Sequence, residues 1–193
     1  MNKTLMIIIA VVVIFAGIIM SGYNSLVSMN ENVNGKWSQV ENQLQRRNDL
    51  IPNLVNTVKG YASHEENTLT EVVNARAKAT QMQLNIDQLD EAALKKLSNI
   101  QGELSSALSR LMAISENYPD LKANQNFLDL QAQLEGTENR IAVERRKFND
   151  VARSYNAFIL QFPRNLVAGM FGFTSKPYFE ANAGAENAPK VEF

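Results

Sequence analysis

The chain has no cysteine, which excludes disulfides, thiolate nucleophiles and thiolate metal sites. It has one histidine, His64, so neither a multi-histidine metal site nor a histidine relay can be built. Its net charge of −1 offers no basic footprint for nucleic acid, which needs a clear excess of Lys and Arg. Charged residues make up only 20% against 45% hydrophobic, a composition neither disordered nor membrane-embedded throughout. At 193 residues there is room for one domain with a real core.

The longest stretch without charge or polarity is Leu5 to Met20, preceded by Lys3. A membrane-spanning helix needs roughly 17–25 residues, and Thr4 with Ser21, Gly22 and Tyr23 extends this stretch to that length. A cleaved signal has an apolar core of roughly 7–15 residues and an A-x-A-like site; Met20-Ser21-Gly22-Tyr23 offers no such site. The expectation is a retained single span over residues 4–23, with the lipid bilayer as its partner. Lys3 and the α-amino group precede the span, and the next positive charge is Lys36. The positive-inside rule then favours, by one or two charges, an N-terminus in the cytoplasm and the remaining chain outside it.

Beyond the span, Val33, Trp37, Val40, Leu44, Arg47, Ile51, Leu54 and Val58 are spaced by alternating steps of four and three. That is the seam of a helix packed in a left-handed bundle. Arg47 is its one charged member, whereas Arg46 reads as solvated. Pro52 removes the backbone bond to the carbonyl of Asn48, so a kink is expected there. Gly60 offers a stop, and Ser63-His64-Glu65-Glu66 has the form of a capping box that restarts a helix. His64 would take the first helical position, exposed and idle. The apolar face that follows is Leu69, Val72, Val73, Arg76 and Ala79.

Asn85 or Asp87 can cap a third helix, whose seam reads Leu89, Ala93, Leu97, Ile100, Leu104, Ala107, Leu111, Ile114 and Tyr118. Gly102 inside it implies close approach of a neighbouring helix. Asn117-Tyr118-Pro119 ends this helix and opens the last and longest one. There Phe127, Leu134, Ile141, Phe148, Tyr155 and Phe162 recur every seven residues, with Gln131, Glu138, Arg145, Ala152 and Ile159 as the companion row. Arg47, Glu138 and Arg145 are thus charged residues on apolar seams. An isolated buried charge costs several kcal/mol, whereas a paired set persists, so a polar layer shared between helices and fixing their register is expected.

Pro163 stops the last helix. The tail to Phe193 carries Gly169, Gly172, Pro177, Gly184 and Pro189, which argues against extended order. Leu166, Met170, Phe171 and Phe173 form an apolar candidate contact surface, docked on the bundle or offered to a partner or membrane. Past Glu180 the chain reads as polar and flexible. The fold class is all-α, organised as residues 1–23 anchor, 24–163 helical bundle and 164–193 tail.

Several motifs together resemble one family. They are Tyr23-Asn24-Ser25-Leu26-Val27, Trp37-Ser38-Gln39-Val40, the run Arg46 to Val55, Val58-Lys59-Gly60-Tyr61, and His64-Glu65. They continue with Tyr118 to Asn124, Thr137 to Ala142, Tyr155-Asn156, Phe162-Pro163 and Gly172-Phe173. The pattern is similar to that of the LemA family of bacterial membrane proteins. Gly35-Lys36 before Trp37, where Ala is usual, and Phe148-Asn149, where Tyr-Asn is common, are small departures. The resemblance implies an N-terminal transmembrane helix and an up-and-down antiparallel four-helix bundle. It implies no established enzymatic chemistry and no cofactor.

Glu65, Glu66, Asp49 and Glu138 are the available carboxylates, but helical carboxylates are usually solvated or capping, and no serine has a partnered histidine. The reading is non-enzymatic: a scaffold or interaction module at the inner membrane, partnered by its own copies or by other envelope proteins. A second reading is a sensor whose polar layer switches bundle packing.

Overall fold

The computed structural model describes residues 2–82, 86 and 89–180. Its α-helices are α1 (Lys3–Lys59), α2 (Glu66–Gln81), α3 (Glu91–Ser115), α4 (Pro119–Lys122), α5 (Gln125–Leu160) and α6 (Arg164–Phe171), and no strand occurs among the described residues. The apolar stretch and the first bundle segment form one continuous helix of 57 residues. α1, rather than the 36-residue α5, is therefore the longest helix.

All eight seam positions of α1 from Val33 to Val58 are buried. α1 continues through Pro52. The Asn48 carbonyl that Pro52 leaves without a helical donor accepts from Arg76 Nε of α2 at 2.8 Å. A buried carbonyl needs a partner, and a side chain from the neighbouring helix supplies it. This also explains an arginine on the inner face of α2.

Two pairs of contacts fix the direction of the α1/α5 pair. Trp37 meets Phe148 and, ten residues further along α1, Arg47 meets Glu138, so the two run antiparallel. Lys78–Glu103 and Glu71–Arg110 set α2 against α3 in the same way. Both of those ion pairs are exposed and act mainly as register markers.

Several local expectations change. α2 begins at Glu66 with Glu65 as its N-cap, so Ser63 does not cap it and His64 lies outside the helix. The turn is instead tied by Ala62 N–H to Val58 O and Glu65 N–H to Ala62 O, with Ala62 fully buried. Val73 is 49% exposed, because the buried arc of α2 centres on Val72, Ala75 and Ala79, roughly 100° away. Asp90 caps α3, its Oδ1 accepting from Ala93 N–H at 2.7 Å; Asn85 and Asp87 lie outside the described residues. Gly102 faces solvent, and a Cβ there would meet nothing within 4 Å, so no helix approaches it closely. The buried row of α3 runs Leu94, Leu97, Gln101, Leu104, Leu108, Leu111 and Ser115, which leaves Ile114 and Tyr118 only partly covered.

Pro119 opens α4 at its first position, where its missing N–H is harmless. Asn124 Oδ1 then caps α5 through Phe127 N–H at 3.0 Å. The same end of the bundle is tied across loops: Tyr118 OH donates to Glu65 at 3.1 Å, and Asn124 Nδ2 donates to Tyr61 OH at 2.9 Å. Phe162 falls beyond the end of α5 and is 80% exposed. Gln161 has left the helical conformation, so the seven-residue row ends at Tyr155.

The segment after Pro163 is more ordered than its glycines and prolines imply. α6 ends at Gly172, whose φ of 75° is the left-handed conformation glycine adopts freely. The chain then runs along α5, held by two asparagines seven residues apart. Asn156 accepts from Lys176 N–H and donates to Lys176 O, each at 2.8 Å. Asn149 does the same to Phe179, also at 2.8 Å. These side-chain amides reproduce, on a helix, the donor–acceptor pairing of a neighbouring strand. They seat Phe179 in the core, stacked on Trp37 at 6.1 Å and edge-on to Phe148 at 5.7 Å.

The core divides into two clusters. The proximal one, nearer the apolar start of α1, contains Leu26 to Leu44, Leu94, Leu97, Ile141 to Ile159 and Phe179. The distal one contains Ile51 to Val58, the buried face of α2, Leu104 to Leu111, Phe127 and Leu134.

Candidate functional site

The boundary between the two clusters is polar. On α1 it falls at Arg47, on α3 at Gln101 and on α5 at Glu138, in each case between the last residue of one cluster and the first of the other. Arg47 is 1% exposed. Its Nη1 donates to Glu138 Oε1 at 2.5 Å and to Ser105 Oγ at 3.1 Å, and its Nη2 donates to Gln101 Oε1. One guanidinium thus links three helices with charge-assisted bonds, as a buried arginine must to offset its lost hydration.

Glu138 is the open member of the pair, with its side chain 40% exposed. It borders a groove of about 630 Å³ between α3 and α5, lined by Ser105, Leu108, Ser109, Met112, Leu134 and Glu135 among others. A carboxylate that neutralises the buried arginine therefore also faces solvent at the groove wall.

Arg145, the third charge expected in the layer, lies two turns further along α5. It makes no ion pair among the described residues. Its guanidinium sits over the Phe179 ring at 4.9 Å, a cation–π contact. Burial, reinforced by the Arg47 charge and opposed by Glu138, holds its pKa below the usual arginine range. The structure thus brings Arg47 and Glu138 together and places Arg145 beside them against an aromatic wall.

Gln101, Ser105 and Phe179 are not singled out by sequence reasoning, and Asn149 and Asn156 enter it only as parts of family motifs, without a role. Gln101 had a signal, because Leu97, Gln101, Leu104, Leu108 and Leu111 step by four, three, four and three. Asn149 and Asn156 also had one, each following an aromatic seam residue at a seven-residue interval. Phe179 had none, lying in a segment without periodicity.

Leu166, Met170 and Phe171 are 55%, 69% and 50% exposed. Phe171 and Phe173 also face Tyr23, with ring centroids at 4.7 and 6.0 Å. The apolar window of α1 is entirely unburied and has a mean hydropathy of 2.9.

These features define an all-α bundle whose first helix also carries a candidate membrane span. The chain belongs to the LemA family, whose model matches residues 36–193. It is 32% identical to magnetosome protein MamQ 2 of Paramagnetospirillum magneticum over 187 residues, covering 88% of this chain and 68% of that one. It is 31% identical to magnetosome protein MamQ of Magnetospirillum gryphiswaldense over 184 residues, with 86% and 68% covered. Protein LemA of Metamycoplasma hominis is 25% identical over 160 residues, with 82% and 69% covered.

Proposed function

We propose that this protein is a non-enzymatic interaction module held at the cytoplasmic membrane by α1, with residues 1–23 as anchor and 24–163 as the bundle it presents. The observation that carries the reading is the apolar start of α1: its most apolar window holds no buried residue, with Ile19 partly covered, and water is an unfavourable solvent for it. In a bilayer the same stretch is satisfied along its length. Tethering confines the bundle to a surface and raises the effective concentration of weak contacts between copies, which favours self-assembly. The few charges around the span favour a bundle outside the cytoplasm.

The full chain is expected to resist extraction from membranes by alkaline carbonate, while a variant lacking residues 1–23 is extracted with its helicity intact. Release of the full chain by carbonate would sink the anchor. Cross-linking in vesicles that never exceeds chance encounter at any protein density would sink self-assembly.

A second reading, a sensor, is favoured by Glu138 belonging to both the buried pair and the groove wall. A cationic group entering the groove would compete with Arg47 for that carboxylate and bias the packing of α1, α3 and α5. Replacing Arg47, Glu138 and Arg145 together by apolar residues tests it. A folded variant with unaltered cellular behaviour would exclude the switch.

A further inference from the structure

Apolar side chains remain bare at a second place. Leu160 is 77% exposed and Phe162 80%, and Leu166 and Met170 continue the patch along one face of α6 at the i, i+4 spacing of helix neighbours. Patches of this kind on a folded domain mark contact sites. From Leu160 to Gly172 the only charge is Arg164.

The position of this patch identifies what covers it. The turn between α5 and α6 lies beside the apolar start of α1: Phe162, Pro163 and Arg164 share one depression with Ile14, Gly17 and Ile18. α6 then packs on α1 at Gly22, where an added Cβ would lie in van der Waals contact with Val167 at 3.4 Å, and finishes with Phe171 against Tyr23. Tyr23 closes the expected span and has the amphipathic character of a residue at the membrane–water boundary. Ile18 and Ile14 lie five and nine residues below it, or about 7.5 and 13.5 Å along the helix. The shallower level falls within the roughly 5–10 Å to which interfacial helices enter the boundary of headgroups and acyl chains, and the deeper one reaches into the acyl chains. The Arg164 guanidinium lies over the Phe158 ring at 4.1 Å and donates to Gln161 Oε1 at 2.6 Å, so the one charge of the patch is held against the turn by a cation–π contact and a hydrogen bond.

We propose that the α5–α6 turn and α6 form a second membrane contact, inserting Phe162, Leu166 and Met170 into the bilayer interface on the side where the bundle emerges. The inference rests on the reading that α1 spans the bilayer. Its consequence is orientation: a single span leaves the bundle free to swivel, whereas two contacts fix its tilt.

The test uses the cysteine-free background. Single cysteines at Phe162, Met170, Val12 and Asn126 of the full chain are labelled with an environment-sensitive fluorophore. Each variant is reconstituted at high dilution in phosphatidylcholine vesicles with or without a lipid-borne quencher. Quenching of more than about half the emission at Phe162, Met170 and Val12, with none at Asn126, is the expected result. Quenching at Val12 but not at Phe162 or Met170 overturns the second contact and leaves the anchor standing. A blue-shifted but unquenched signal at Phe162 and Met170 means another protein copy covers the patch, which also overturns it. Absence of quenching at Val12 removes the anchor and this inference with it.

Discussion

The two halves of the core are built differently. The proximal half is aromatic, with Trp37, Phe148, Tyr155 and Phe179, and it lies mainly between α1 and α5. The distal half is aliphatic apart from Phe127, and α2 and α3 close it. The cause is length. α2 has 16 residues and α3 has 25, about 24 and 37 Å of helix, against about 54 Å for the 36 residues of α5. The apolar stripes of α1 and α5 outrun their shorter neighbours. Residues 172–180 take the missing place, and two asparagines supply the backbone pairing that a short extended segment lacks. A helix bundle with unequal helices needs such a cover where its shorter helices end.

The largest expected effect comes from emptying either half. Phe148→Ala should cost about 4 kcal/mol and Leu111→Ala about 3, read from urea unfolding of the bundle. Coincident helicity and Trp37 fluorescence transitions in both variants would show that the halves unfold as one unit. Separated transitions would show that the polar boundary divides them.

Next come changes at the boundary itself. Glu138→Gln leaves the Arg47 charge buried with neutral partners and should cost about 2 kcal/mol, discounted from the full buried-pair value because Glu138 is partly exposed. Arg47→Met with Glu138→Leu removes both charges and should recover most of that loss. A pair variant less stable than either single change would mean that the ionic network contributes net stability.

Smaller and confined to the proximal half is the effect of unclamping the C-terminal segment. Asn149→Ala and Asn156→Ala should each cost about 1–2 kcal/mol. Amide exchange should accelerate at Lys176 and Phe179 and stay unchanged in α2. Acceleration in α2 would show that the cover stabilises the distal half as well.

The smallest effect compares one phenol from each half. Burial raises the pKa of Tyr155 and, with the Glu65 hydrogen bond and charge added, that of Tyr118. The folded state therefore keeps protons that the unfolded chain releases near pH 10. Stability from both groups is complete below that pH and is lost as pH rises through the folded-state values. Urea midpoints should fall above about pH 10, and Tyr155→Phe or Tyr118→Phe should flatten the fall. An unchanged slope in Tyr155→Phe would rule out a contribution from the proximal phenol.

By itself the sequence determined the long helices α1, α2, α3 and α5, the inward face of α1 and its apolar start, since each depends on residues within a few turns of one another. The eight-membered seam from Val33 to Val58 was readable complete, with Arg47 on it, because spacing alone selects the face of a helix. The start of α2 near Ser63 and the outward place of Val73 on α2 are decided by turn geometry and the precise buried arc rather than by composition. What only the tertiary structure decided are the long-range partners. Arg47 finds Gln101 and Glu138 at separations of 54 and 91 residues, and Arg76 reaches a carbonyl 28 residues away. Asn149 and Asn156 clamp a segment that has no period to read. A polar group on a seam announces that it needs a partner, but which partner it meets depends on how the helices cross.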